Sequence, residues 1–274
     1  MKNNSNMYKN HINFSALLLV AIAIFASCQQ VINVKLNSSS SQVVIQAYVT
    51  DQPNIDTVLI TRTGDYFVPG NYPKVNGATI IVTDNQGTTD TFVQVDSGKY
   101  AASHLTGIPG HTYTLKTIVD GKEYDAVSTM PLAVEIDTVT YNQVGNPPDT
   151  NYHVHCVYLD PAGVTNYYML KAYVNNVIQD SIGDITLNSD KYTNGLPQNT
   201  RLRIPNPVTN DSIKVYLMSI DANTFNYFTV IRSITGSSNP VSTATPQNPP
   251  SNIIGGALGY FSAYSVRSAT IVVP

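Results

Sequence analysis

From Val43 onward, apolar side chains recur at every second residue in runs that Gly, Pro, Asn or Asp interrupt, a pattern that confines most of the chain to short β-strands. In VVIQAYVT, Val43, Ile45, Ala47 and Val49 share one face. Ala78, Ile80 and Val82 repeat the pattern in GATIIVTDNQG; Asp84 to Gly87 then supply a turn, TFVQV a further strand, and Asp96-Ser97-Gly98 a turn into KYAA. Downstream, Tyr113, Leu115, Thr117 and Val119 lie on one face, Asp120-Gly121 forms a type I′ turn, and KEYDAVS returns as the second arm of a hairpin. Pro109-Gly110 opens this segment, and Met130-Pro131 ends it, because proline cannot continue a central strand. A first β-domain is expected over 43–131.

Beyond it, VEIDTVTYNQV, NYHVHCVYLDP and NYYMLKAYVNNVIQD read as strands punctuated by Gly, Pro, Asn or Asp. Residues 181–210 read as an irregular excursion before DSIKVYLMSID resumes strand periodicity. One short helix is expected near 221–234: Asp221 can act as N-cap, and Phe225, Phe228 and Ile231, or alternatively Val230, Tyr227 and Ile234, fall at helical spacings. Another strand is the competing reading. The stretch 235–252 is rich in Gly, Ser, Asn and Pro, after which GALGYFSAYSVRSATIVV returns to strand, expected to be pinned into a sheet. The chain therefore reads as all-β, with two β-sandwich domains at 43–131 and 132–274 and the helix in the second.

The N-terminus carries a different signal. Lys2 and Lys9 precede FSALLLVAIAIFAS, a run of 14 uncharged residues that ends at Cys28. A membrane-spanning helix needs about 20 apolar residues, so residues 1–27 read as a cleaved signal peptide. FASC resembles a lipobox, although Phe25 stands where Leu is usual, and it marks Cys28 as the site of lipidation; plain secretion, with Cys28 in the discarded part, is the alternative. Residues 28–42, which include SSSS, read as a flexible tether. A lipidated Cys28 leaves Cys156, the other of two cysteines, without a disulfide partner. The segment before Cys28 holds two lysines and no acid, so its removal moves the formal net charge from −3 to −5. With no basic run and charged residues at 12%, nucleic acid is excluded as an expected partner.

Signatures of chemistry are sparse. His153 and His155 in HVHC share a strand face and supply half of a tetrahedral metal site, but nothing at a recognisable spacing completes it; a half-exposed strand face is the expectation, with no metal. His104 and His111 flank Pro-Gly loops and read as surface histidines. No zincin, nucleophile-elbow, phosphate-loop or dinucleotide motif occurs. Asp137, Asp160, Asp180 and Asp184 read as turn and strand-end carboxylates, and DNQG and SDKYTNG lack the alternating acids of a calcium loop. The expectation is a protein without cofactor or catalytic residues. In NIIGGALGYFSAYS, Gly255 and Gly256 permit a bend, Leu258 and Tyr260 share one strand face, and Phe261 lies on the other. Tyr260, Phe261 and Tyr264 are thus either core anchors or the residues that touch a partner.

Taken together, ASC at 26–28, VVIQAYVTDQP at 43–53, GATIIVTDNQG at 77–87, SGKY at 97–100, the run from Pro109 to Pro131, and NIIGGALGYFSAYS at 252–265 resemble the DUF4249 family of Bacteroidetes lipoproteins. The first domain also resembles carboxypeptidase-regulatory-like or transthyretin-like modules, so the resemblance implies two immunoglobulin-like/transthyretin-like β-sandwich domains. It further implies an envelope lipoprotein anchored to the outer membrane, on its periplasmic or surface face, often encoded near TonB-dependent receptors, with no reaction to carry over. A non-enzymatic accessory or binding component of such an uptake system is the function expected. An adhesive or structural surface protein is the alternative, and a hydrolase with an unrecognised site a more distant one.

The anchor is directly testable. Cys28→Ala is expected to abolish incorporation of a fatty-acid probe and to release the protein from membranes, because two or three acyl chains supply far more membrane affinity than any other stretch of this sequence. An unlabelled mutant that stays in the membrane fraction would refute it.

Overall fold

Strand periodicity organises nearly all of the chain that the computed structural model describes, which comprises residues 41–53, 56–64, 70–145, 151–235 and 248–274. Cys28, the signal segment and the tether up to residue 40 lie outside the described residues. The tether's last two residues already belong to the fold: Ser41 Oγ donates to the Thr63 carbonyl at 3.1 Å, and Gln42 N–H donates to Thr63 Oγ1 at 3.0 Å.

The first half contributes β1 (Val43–Thr50), β2 (Thr57–Arg62), β3 (Thr79–Asp84), β4 (Thr89–Asp96), β5 (Lys99–Ala101), β6 (Thr112–Val119) and β7 (Lys122–Thr129). The second contributes β8 (Thr138–Val144), β9 (Asn151–Leu159), β10 (Tyr167–Val174), β11 (Val177–Gln179), β12 (Thr186–Ser189), β13 (Pro197–Arg201) and β14 (Ser212–Ile220). Helix α1 (Ala222–Thr235), β15 (Ile253–Ile254) and β16 (Leu258–Val272) complete it. The fold is all-β with a single helix among the described residues. Thirteen strands form one long sheet in the order β11-β10-β14-β16-β1-β2-β5-β4-β3-β6-β7-β15, with β12 paired to β10; β13-β9-β8 form a second sheet.

Periodicity placed the faces as expected. Val43, Ile45, Ala47 and Val49 are buried, as are Ile80, Val82, Tyr113, Leu115, Thr117 and Val119. Asp120 and Gly121 both take positive φ, as a type I′ turn requires, and join β6 to β7 with Val119 opposite Lys122. These side chains form a first core, and a second core gathers Val154, Cys156, Tyr158, Tyr168, Leu170, Leu217 and Val273. A smaller cluster lies beneath α1, around Met169, Met218, Tyr227, Phe228 and Val266.

Two details depart from the sequence reading. Residues 181–210 are not irregular throughout: β12 pairs with β10 and β13 with β9, two short strands set between Asn- and Asp-rich turns that interrupt any sustained alternation. The C-terminal strand also does not serve the second half alone. Residues 258–264 of β16 pair in parallel with β1, and residues 265–272 pair antiparallel with β14. Phe261 and Ala263 consequently enter the first core, while Ile271 and Val273 join the second. The path also closes on itself, since Asn252 clasps β16 by accepting from Phe261 N–H at 2.9 Å and donating to Phe261 O at 2.8 Å, and Ala263 N–H donates to Ser128 Oγ at 2.8 Å.

The parallel pairing depends on one glycine. Gly259 has φ of +103°, and a Cβ there would stand 1.9 Å from the Ile45 carbonyl oxygen of β1. Gly259→Ala therefore meets both a backbone penalty and a backbone clash, and is expected to destabilise the fold by about 3 kcal/mol or more. Chemical denaturation would check this; a midpoint within experimental error of the parent's would contradict the assigned register.

Candidate functional site

The face of β10, β14 and β16 opposite the second core is itself apolar and aromatic. On β10 it presents Tyr167, Met169, Lys171 and Tyr173; on β14, Tyr216 and Met218; on β16, Tyr260, Ser262, Tyr264 and Val266. Helix α1 covers only one end of this face. Asp221 acts as its N-cap, accepting from Thr224 N–H at 2.7 Å, and the helix turns Thr224, Tyr227 and Phe228 inward, with Phe225 and Ile231 packed alongside. Of the two faces weighed from sequence, that of Phe225, Phe228 and Ile231 is the one that packs; Tyr227 joins it, while Ile234 of the other face is exposed.

Beyond the helix the same face opens into a cleft of about 400 Å³, within the usual range for small-molecule sites. Tyrosines make most of its walls. Tyr173 and Tyr216 approach to 5.4 Å between ring centroids, Tyr48 of β1 and Tyr264 to 5.9 Å, and Tyr260 is held against Tyr227 at 4.8 Å and Phe228 at 5.1 Å. Met169, Met218, Ile178 and Val266 add apolar surface; Gln52, Thr224, Ser262 and Lys171 supply the remaining polar groups. Burial pushes the Tyr260 and Tyr264 phenols upward, so both remain neutral hydrogen-bonding groups at physiological pH. Burial also lowers Lys171, and the carboxylate of Asp180 opposes that shift without forming an ion pair with it.

The sequence-derived site residues separate clearly here. Phe261 is fully buried in the first core, whereas Tyr260 and Tyr264 are half-buried and line the cleft. Lys171, Tyr48, Tyr173 and Tyr216 were not singled out from sequence; the available signal was that both faces of NYYMLKAYV are apolar or aromatic. His153 and His155 share the partly exposed face of β9, with His155 Nδ1 2.9 Å from Asn199 Oδ1, and among the described residues no cluster of three metal-ligating groups forms. Burial, with Arg201 and His155 nearby, lowers His153. Cys156 points into the second core, and desolvation pushes its thiol up to about 12.

His104 is exposed, but His111 is not simply a surface histidine. Its Nδ1 lies 3.0 Å from Asp84 Oδ2, while Asp84 Oδ1 accepts from Gln86 and Thr88 N–H. Burial would raise the Asp84 carboxyl, but these hydrogen bonds outweigh it and hold it below its ordinary value. Among the described residues no helix is long and apolar enough to cross a membrane.

A family model described as "Domain of unknown function (DUF4249)" matches residues 29–270. No curated protein matches the chain in sequence. Among solved structures, the Yersinia pseudotuberculosis adhesin InvE is 18% identical, with a TM-score of 0.21, over 65% of this chain and 55% of that one. The chicken interferon gamma receptor alpha chain is 8% identical, with a TM-score of 0.19, over 65% of this chain and 88% of that one. The chain thus spans little more than half the length of the adhesin, and likenesses this weak carry no functional weight.

Asp56, just before β2, gives the protein a pH dependence. Its carboxyl is buried, with Oδ1 accepting from Thr50 N–H at 2.7 Å and Thr50 Oγ1 at 3.1 Å, and Oδ2 unpartnered among the described residues. Desolvation, opposed by those hydrogen bonds and helped by Asp90 and Asp51, raises it from 3.8 to about 7. Because the folded state keeps a proton that the unfolded chain releases, this contribution to stability is fully present below pH 4 and is lost as pH rises through 7. The loss is on the order of a few kcal/mol. Asp56→Asn, which preserves an acceptor for Thr50, is expected to flatten the decline in melting temperature between pH 4 and 7. Parallel curves for mutant and parent would contradict this assignment.

Proposed function

The chain belongs to the DUF4249 family, and we propose that it is a lipid-anchored envelope protein that catalyses no reaction. Its role in this reading is that of an accessory, ligand-holding component of a TonB-dependent outer-membrane uptake system. The cleft is the observation that carries this: it is ligand-sized, and its walls are side chains of strands whose opposite faces form the cores. Groups of this kind recognise rather than react. The lining offers rings, hydroxyls, an amide and one ammonium, and holds no carboxylate, histidine or thiol that would form an acid–base or nucleophile–base pair. The lipobox-like FASC and the tether that follows it support attachment at Cys28, with the folded unit held off the membrane.

Cross-linking in the native membrane tests this reading. A photo-reactive residue in place of Tyr192, which is 83% exposed and does not line the cleft, is expected to capture an outer-membrane transport protein. Mutants that lack this protein are expected to take up the cargo of that transporter more slowly. The uptake reading is abandoned if a set of such probes over the exposed surface recovers no transport protein.

A further inference from the structure

We propose that the tyrosine cleft is a site for a small organic anion, with the acidic group of the ligand set beside Lys171 and its flat, apolar body held between the rings. The proposal rests on the reading of the cleft as a ligand-holding site and adds the chemistry of the ligand.

Charge decides among the ligands that an aromatic cleft admits. Tyrosine walls suit a quaternary ammonium as well as a planar apolar body, because the ring faces attract cations. Lys171 reverses that preference. It is the only charged residue of the lining, and among the described residues its ammonium has neither a carboxylate within ion-pair distance nor a hydrogen-bond partner. Lys74, Lys99, Lys122, Lys191 and Lys214 likewise lack an ion-pair partner among the described residues, but all of them are exposed to solvent, whereas Lys171 is half-buried. A cation entering the cleft would meet a positive charge that Asp180 compensates only in part, whereas an anion would supply a direct counterion.

Two hydroxyls give independent support. Thr224 and Ser262 are each 1% exposed and line the cleft, and theirs are two of the five buried side-chain polar atoms without a hydrogen-bond partner among the described residues. Buried polar atoms are ordinarily paired, so two unpaired ones at one cleft mark positions where an incoming group or an ordered water completes the bonding. Both hydroxyls can donate to an anionic oxygen. Apolar lining exceeds polar lining, which asks for a ligand that is mostly body with one acidic group rather than a polyhydroxylated neutral sugar.

The test uses three probes of one shape and different charge: 2-naphthoate, 2-naphthalenemethanol and 2-naphthylmethylammonium. Binding to the lipidated full-length protein in nanodiscs is measured by calorimetry, with empty nanodiscs as the blank. 2-Naphthoate is expected to bind at least tenfold more tightly than the alcohol, and the ammonium more weakly than either. Lys171→Met is expected to erase the preference of the anion over the alcohol, and Lys171→Arg to retain it; Tyr216→Ala is expected to weaken all three. Thermal melts establish that each variant is folded, and an unfolded Lys171→Met is replaced in the comparison by Lys171→Gln. If the alcohol or the ammonium binds as tightly as the anion, the assignment of charge is overturned while the cleft remains a ligand site. If none of the three binds, the ligand-holding reading falls with it.

Discussion

The parallel pairing of β1 with β16 is the constraint on which the remaining architecture depends. It joins the first described strand to the last, so the largest loop in the topology must close before the first core is complete. The fit at Gly259 over the Ile45 carbonyl permits only one approach of the two backbones. Because side chains alternate, a slip of one residue would send Tyr260 and Tyr264 into the first core and Phe261 out of it. The first core and the cleft are therefore correct together or lost together.

The same strand links the cleft to the helix above it. Asp221 caps α1 with one carboxylate oxygen and accepts from Ser128 Oγ with the other, while Ser128 Oγ accepts from Ala263 N–H of β16. The cap, β7 and β16 thus share one hydrogen-bond relay, which sets where Thr224 faces the cleft. Behind Ser262 and Tyr264, Asp51 accepts from Val266 N–H and pairs with Arg267, which also binds Glu135. Cleft side chains supported from behind in this way lose little further freedom when a ligand is held, which favours affinity at a given contact area.

What was legible in the sequence was local. The β6–β7 hairpin, the buried faces of β1 and β3, and the Asp221-capped helix follow from spacings within about a dozen residues, and the structure has each of them. Strand order depends on pairings across the whole chain, and no local period encodes that β16 would lie beside β1. The short β12 and β13 offered too few residues to alternate visibly. The cleft was only partly legible for the same reason: Tyr48, Lys171, Tyr216 and Tyr264 come from four strands, and only their lateral order brings them together. Tyr260 and Tyr264 were flagged because one segment combined aromatic residues with glycines, a signal that could not separate them from Phe261 until burial did. Cys28 carried the strongest sequence signal of all and lies outside the described residues.

Lys171 is costly where it stands. A methionine at that position would continue the apolar face begun by Met169 and Met218 and would avoid desolvating an ammonium among tyrosine rings. Burial already disfavours the charge of Lys171, and the carboxylate of Asp180 restores only part of what is lost. Thr224 and Ser262 add to the same deficit, since an alanine at either position would leave no hydroxyl unpaired. These three costs fall on one surface, although elsewhere among the described residues Asp56 Oδ2, Thr117 Oγ1 and Ser265 Oγ are buried without a partner. Poorly satisfied polar groups that meet at one cleft lower the stability of the free protein and raise what a complementary ligand gains on entering, as in a site shaped around something it does not always hold.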